Sequence, residues 1–73
     1  MNYIVLWNGK KREFTDYGEA LSTAFDYTYQ YHRCTTSKKT DTAIIISREV
    51  WSVKIVTFYD VEGTPNWNVT EII

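Results

Sequence analysis

Asp16-Tyr17-Gly18-Glu19-Ala20-Leu21-Ser22-Thr23-Ala24-Phe25-Asp26-Tyr27-Thr28-Tyr29-Gln30-Tyr31-His32-Arg33 decides the fold, because it is the one stretch with helical periodicity. At 100° per residue, Tyr17, Ala20, Leu21, Ala24, Thr28 and Tyr31 fall on one face. Glu19, Ser22, Thr23, Asp26, Gln30 and Arg33 fall on the other. Asp16 followed by Glu19 resembles a capping box, in which a side-chain carboxylate accepts orphan backbone N–H groups. The spacing predicts a helix from about Tyr17 to about Arg33. One local signal opposes it: Tyr27-Thr28-Tyr29-Gln30-Tyr31 alternates like a strand and is rich in strand formers. The polar face continues through Asp26, Gln30 and Arg33, which favours the longer helix.

On either side of this segment the chain reads as strands. Tyr3 to Trp7 is apolar, and Asn8-Gly9 after it is a strong short hairpin signal, since a tight primed turn needs positive φ at both central residues. Lys11 to Phe14 then returns antiparallel, its charges discouraging edge-to-edge aggregation. Residues 34–41 read as a polar loop. Thr42 to Ser47 is apolar on both faces at Ile44-Ile45-Ile46, as expected of a strand in the middle of a sheet. Val50 to Tyr59 is a longer strand with Trp51, Val53 and Ile55 on one face and Ser52 and Lys54 on the other. Val56 and Phe58 break that alternation and predict a bulge, a twist or a covered second face. Asp60 to Asn66 reads as a turn or loop, with Gly63 and Pro65 as breakers. Trp67 to Ile72 is a final strand. Short spacings favour hairpins and a meander over parallel crossovers. The expected fold is α+β: one domain over residues 1–73, with an antiparallel sheet of four to five strands and one helix across one face, in the order ββαβββ.

The chain has 73 residues, a net charge of -1 and 16% aromatic content. It is too short for two domains and too apolar for disorder. Its longest apolar run, Ala43 to Ile46, is far below the roughly 20 residues of a membrane span, so no membrane role is expected. The N-terminus lacks the pattern of a signal peptide, and the single Cys fits a reducing compartment; a cytoplasmic location is the expectation. The glycosylation pattern Asn68-Val69-Thr70 is then a chance match. A single Cys excludes an internal disulfide, and one His with one Cys falls short of a zinc set.

Charge is segregated along the chain. Lys10, Lys11 and Arg12 form one basic cluster, and Arg33, Lys38 and Lys39 a second. Glu13, Asp16, Glu19 and Asp26 lie between them, and Asp60, Glu62 and Glu71 close the chain. Such segregation can guide docking onto a charged partner, and it also suits solvated loops or helix faces.

No catalytic set, cofactor site or metal site is expected. His32 and Cys34, two apart on a helix, point about 200° away from each other. Asp16 and Glu19 are explained by capping, and Asp60 and Glu62 flank a turn. Gly9, Gly18 and Gly63 are too scattered to cradle a phosphate.

A helix of that length is about 25 Å long and 10 Å wide. It can cover one side of a five-stranded sheet, whose strands sit about 4.8 Å apart. Ile4, Leu6, Ile44, Ile46, Val56 and Phe58 do not fit on one side together with Tyr3, Val5, Ala43, Ile45 and Ile55. Apolar residues must therefore remain on the uncovered side, and exposed apolar clusters mark binding surfaces. The expected function is a non-enzymatic protein-interaction module that binds a larger protein or itself, as a homodimer. The expected anchors are Tyr27, Tyr29 and Trp67, with Phe58 on the open face and Arg33 and Lys54 as rim charges. Removing Tyr29 or Trp67 should then weaken association more than stability. As a whole the chain resembles the small accessory proteins of phages and mobile elements, in being one short, aromatic-rich domain without a catalytic set. That resemblance implies a protein that occupies a surface on a larger host or defence complex and modulates or inhibits it. The alternative is a single-stranded nucleic-acid binder that stacks bases on sheet aromatics, with phosphates held by Lys10, Lys11, Arg12, Lys38, Lys39 and Lys54. A net acidic chain without an aromatic- and Gly-containing binding signature weighs against it.

Overall fold

Two tight turns set the register of the sheet. In the computed structural model, which describes residues 2–34 and 40–73 and the side chains of 2–29 and 40–73, Asn8 and Gly9 take φ of 49° and 79°. Positive φ at both central residues makes a primed turn, whose twist matches the flanking strands β1 (Tyr3–Trp7) and β2 (Lys10–Phe14). Helix α1 (Tyr17–Cys34) follows, then β3 (Thr40–Ser47), β4 (Ser52–Val61) and β5 (Thr64–Glu71). The five strands form one sheet in the order β2-β1-β3-β4-β5, and every neighbouring pair is antiparallel. The α+β expectation holds.

Strand order follows from which strands tolerate water. β2 carries Lys10, Lys11, Arg12 and Glu13 on its two faces and takes an edge. β3 is apolar on both faces and takes the centre. β1 therefore pairs with β3, and α1 carries the chain from β2 over β1 to β3. The two joined strands run in the same direction, so one helical crossover supplements the expected hairpins.

The second tight turn is the shorter form of the turn or loop expected at Asp60–Asn66, whose outer residues belong to β4 and β5. Glu62 and Gly63 take φ of 51° and 85°, a two-residue primed turn, and Val61 pairs directly with Thr64. Pro65 is accommodated inside β5 by parity. The closing pair of such a turn is hydrogen-bonded, so the next residue turns its N–H side away from β4. β5 is an edge strand, and the N–H that Pro65 lacks would have faced solvent. The same parity appears at the other end, where Ile72 N–H donates to the Val53 carbonyl (2.9 Å).

Of the outcomes expected where Val56 and Phe58 break the alternation, the covered second face is the one found, since both are fully buried under the helix. Register with β3 runs unbroken from Thr40↔Tyr59 to Ser47↔Ser52, with no bulge. Alternation is regular; what changes is which face is apolar. Lys54, Val56 and Phe58 share the helix side, whereas Val53 and Ile55 share the other.

The helix seats as its periodicity dictates. Glu19 N–H donates to Asp16 Oδ2 (3.0 Å), closing the expected cap. Ala20, Ala24 and Thr28 are fully buried against the sheet, and Tyr17 and Leu21 are half-buried. Glu19, Ser22 and Asp26 face solvent, while Thr23 is half-buried. The helix continues through Tyr27–Tyr31 as the polar stripe predicts; the side chains of Gln30, Tyr31, His32, Arg33 and Cys34 lie outside the described set, as do Lys38 and Lys39. Two small alanines let the backbone approach closely, and aromatics fill the flanks. Trp7 stacks on Tyr27 (5.0 Å between centroids, 15° between planes) and donates from Nε1 to Asp41 Oδ2 at 2.9 Å. Trp67 packs on Phe25, Tyr29 and Phe58 at 5.2, 5.9 and 5.4 Å. Its Nε1 donates to Thr28 Oγ1 (3.1 Å), which in turn donates to the Ala24 carbonyl (2.9 Å). No helix among the described residues is long and apolar enough to cross a membrane.

Phe58 is fully buried on the helix side, which corrects its expected place on the open face. The register explains the difference. Phe58 lies opposite Trp67 and shares parity with Val56, not with Val53 and Ile55. Phe58→Ala should lower stability by about 3–5 kcal/mol through the cavity it leaves among Tyr29 and Trp67. Trp67→Ala, which also removes the hydrogen bond that the Thr28 hydroxyl accepts, should fall in the same range. Urea midpoints of both variants check this; a midpoint near wild type for either would place that ring outside the core.

Candidate functional site

The side of the sheet away from α1 is built from cross-strand rows. One row reads Lys11, Leu6, Ile44, Ile55 and Thr70 from β2 to β5. The next reads Glu13, Ile4, Ile46 and Val53. A third, beyond the reach of β1 and β2, reads Thr42, Thr57 and Asn68. Six aliphatic side chains from three adjacent strands thus form one patch with no second layer over it among the described residues. Ile44 is 36% exposed, Leu6, Ile46, Val53 and Ile55 are half-buried, and Ile4 is buried yet stands apart from the helix-side core cluster. The amides and hydroxyls of Asn66, Asn68, Thr57 and Thr70 border the patch on one flank. Lys11 and Glu13 border it on the other.

The patch ends at the β3–β4 connection, residues 48–51, where Trp51 is 74% exposed and has φ of 48°. A bulky residue in the left-handed region is a genuine outlier, held at about 1–3 kcal/mol of strain. Val50 beside it is 56% exposed, and Ile72 and Ile73 at the same end of the sheet are also exposed. The turn is anchored: Asn2 N–H donates to Glu49 Oε1 at 2.9 Å. Just inside it, the paired Ser47 and Ser52 bury their hydroxyls without a hydrogen-bond partner among the described residues. Strain and unsatisfied polar groups concentrate where an apolar ring is presented to solvent, a pattern typical of binding sites.

The residues expected to form the site divide differently. Tyr27, Tyr29 and Trp67 are half-buried and committed to the aromatic packing under α1. Lys54 lies on the helix side, with Nζ 4.7 Å from the Tyr17 ring centroid and 3.7 Å from Glu71 Oε1. The Arg33 side chain lies outside the described residues. Of the cations expected to hold phosphates, Lys10 sits over Trp7 and Tyr27 (5.7 and 5.9 Å) and Arg12 over Phe14 (5.0 Å). Lys11 alone of that triplet faces the open side. A cleft of about 570 Å³ between β2 and α1 is lined by Arg12, Glu13, Glu19 and Ser22 among others. Among the described residues, no three of His, Cys, Asp and Glu stand together as a metal set.

Sequence reasoning identified the aliphatic surplus but not its members as the site. The missing signal was register: only when β1, β3 and β4 are aligned do Ile4, Ile46 and Val53 form one row and Leu6, Ile44 and Ile55 another. Trp51 was foreshadowed by Arg48-Glu49-Val50-Trp51, a hairpin connection without Gly, Asn or Pro, in which a bulky residue must take the left-handed position.

Trp51→Gly should raise stability by about 0.5–1 kcal/mol, because relief of strain exceeds the extra chain entropy of glycine. In a chain this size that is roughly a 2–8 °C rise in Tm. Thermal unfolding measures it, and a fall in Tm would mean that the indole is held by contacts worth more than its strain.

Compared with known proteins, the chain matches no family model, no curated protein and no solved structure. Its function has to be read from its own surface chemistry.

Proposed function

We propose that this chain is a non-enzymatic protein-interaction module, cytoplasmic, whose binding surface is the open face of the sheet with Trp51 at its end. The observation that carries this is the double apolar row, Leu6-Ile44-Ile55 over Ile4-Ile46-Val53, on the side that α1 does not cover. A water-facing antiparallel sheet alternates polar residues outward. β5 obeys that rule with Asn66, Asn68 and Thr70, whereas β1, β3 and β4 break it at their shared rows. Burying such a patch returns about 25 cal/mol per Å² of apolar surface. The charges beside it, Lys11 and Glu13, would set orientation and approach more than affinity.

The nucleic-acid reading asks for stacking rings and phosphate-holding cations on one surface. Tyr59 is the one aromatic ring among the strand residues of the open face, and Lys11 there is accompanied by Glu13. Lys10, Arg12 and Lys54 stand on the other side, over aromatic rings. The face suits an apolar partner surface better than a polyanion.

Ile44→Lys tests this. Lysine at a position already 36% exposed should change stability by less than about 1 kcal/mol, within the usual range for surface substitutions. It should abolish association through the face. Wild type and variant are immobilised side by side, challenged with lysate of the source organism, and compared by quantitative mass spectrometry, with sedimentation of each chain alone. The expected result is a saturable species, another protein or the chain itself, held by wild type and lost by Ile44→Lys. Equal retention by both, or none by either together with a monomeric mass, would overturn the proposal.

A further inference from the structure

We infer that the occupant of the open face is a second copy of this chain, related by a two-fold axis that runs across the strands midway between the two apolar rows. This rests on the open face being a protein-binding surface, and names its partner. Lys11 and Glu13 stand on the same edge strand, on the same face, one row apart, opposite in sign and both exposed. A two-fold between the rows lays each strand antiparallel over its own copy and exchanges the rows. Leu6, Ile44 and Ile55 then face Ile4, Ile46 and Val53 of the second copy, and Lys11 meets Glu13 of the second copy at two symmetric places. The other in-plane two-fold, along the strands, lays β2 over β5. It sets Lys11 against Thr70 and Glu13 against Ile72, matching no charge. The charge pattern therefore selects one axis.

Two further features agree with it. Trp51 lies one step beyond the Ile46–Val53 row, so the same rotation carries it to the level of Thr42 and Thr57, whose short side chains leave room for an indole. Rows of five, four and three positions, each about 4.8 by 6.8 Å, cover roughly 390 Å² in projection. Aligned sheets pack face to face in this way, with the side chains of the two inner faces interdigitating. A net charge of -1 leaves two copies with almost no mutual repulsion.

The test is sedimentation equilibrium over a wide concentration range, with thermal unfolding to confirm that each variant folds. Wild type should approach twice the chain mass of 8.6 kDa. Lys11→Glu and Glu13→Lys should each weaken the dimer roughly tenfold or more, because each sets like charges against each other at both symmetric places. The double variant, Lys11→Glu with Glu13→Lys, restores both pairs and should return the dissociation constant to within about threefold of wild type. A dimer indifferent to the single reversals, or weakened by them and not rescued by the double variant, overturns this inference. A wild-type chain that stays monomeric also overturns it, and the hydrophobic dye ANS then separates the two readings. Dye bound by the monomer and lost in Ile44→Lys removes the second copy while leaving the open face a binding surface; no dye bound removes both.

Discussion

One rod over one ribbon leaves a face bare, and the rest of this structure follows from that mismatch. Helix α1 has 18 residues, about 27 Å at 1.5 Å per residue, and covers a width of about 10 Å. Five strands spaced by about 4.8 Å need roughly twice that width on each side. The helix sits over β3 and β1, reaches β4, and leaves β5 to be covered by rings. Ala20 and Ala24 bring its backbone close, and that closeness is what makes large side chains necessary at the flanks. Tyr27 on Trp7 closes one side; Phe25, Tyr29 and Trp67 over Phe58 close the other. The aromatic content of the chain is thus largely spent on widening a narrow roof. Nothing comparable is left for the opposite side, where aliphatic residues stand uncovered.

The chain treats its edges and its open face in opposite ways. Unpaired strand edges invite aggregation, and both are blunted here. β2 displays Lys10, Lys11, Arg12 and Glu13, and β5 carries Pro65 near one end. The open face receives no such protection at its centre; it is bordered by polar groups and left apolar in the middle. Backbone strain likewise sits at the end of the patch, in the left-handed backbone of Trp51. A chain merely short of polar residues would show neither the guarded edges nor the bordered patch.

The fold could be read from local signals because each was unambiguous on its own. Asn8-Gly9 specified a primed turn, the two stripes of α1 specified its length against the strand-like Tyr27–Tyr31, and the triple isoleucine placed β3 at the centre. The Glu62-Gly63 connection was legible as a turn or loop but not its shortness, because glutamate is not a turn former and Pro65 counts against a strand until its edge position is known. The site was harder to read. That a face must remain bare followed from counting side chains. Which side chains lie on it depends on pairing between β1 and β3, forty residues apart, and no local pattern encodes that register. Phe58 was misplaced for the same reason: ring size marks both core and interface, and only parity along β4 tells them apart.

Guarded edges and an open face together restrict how this chain can bind. Strand addition at an edge would use backbone groups and would tolerate many sequences, but the edges are charged or interrupted by proline. Face-to-face packing uses side chains, so its selectivity comes from shape and from the few charges at the border. Lys11 and Glu13 are the charges so placed, and on the same strand they are self-complementary only in antiparallel juxtaposition. A domain of 73 residues buries only about 60% of the surface its unfolded chain exposes and has little stability to spare. Whatever covers the aliphatic rows adds its binding free energy to that of folding, so occupancy of the face and persistence of the fold are linked through concentration. On the proposed reading the bare face couples binding to folding: the same residues that leave the isolated chain under-protected would tie its native state to the presence of a partner.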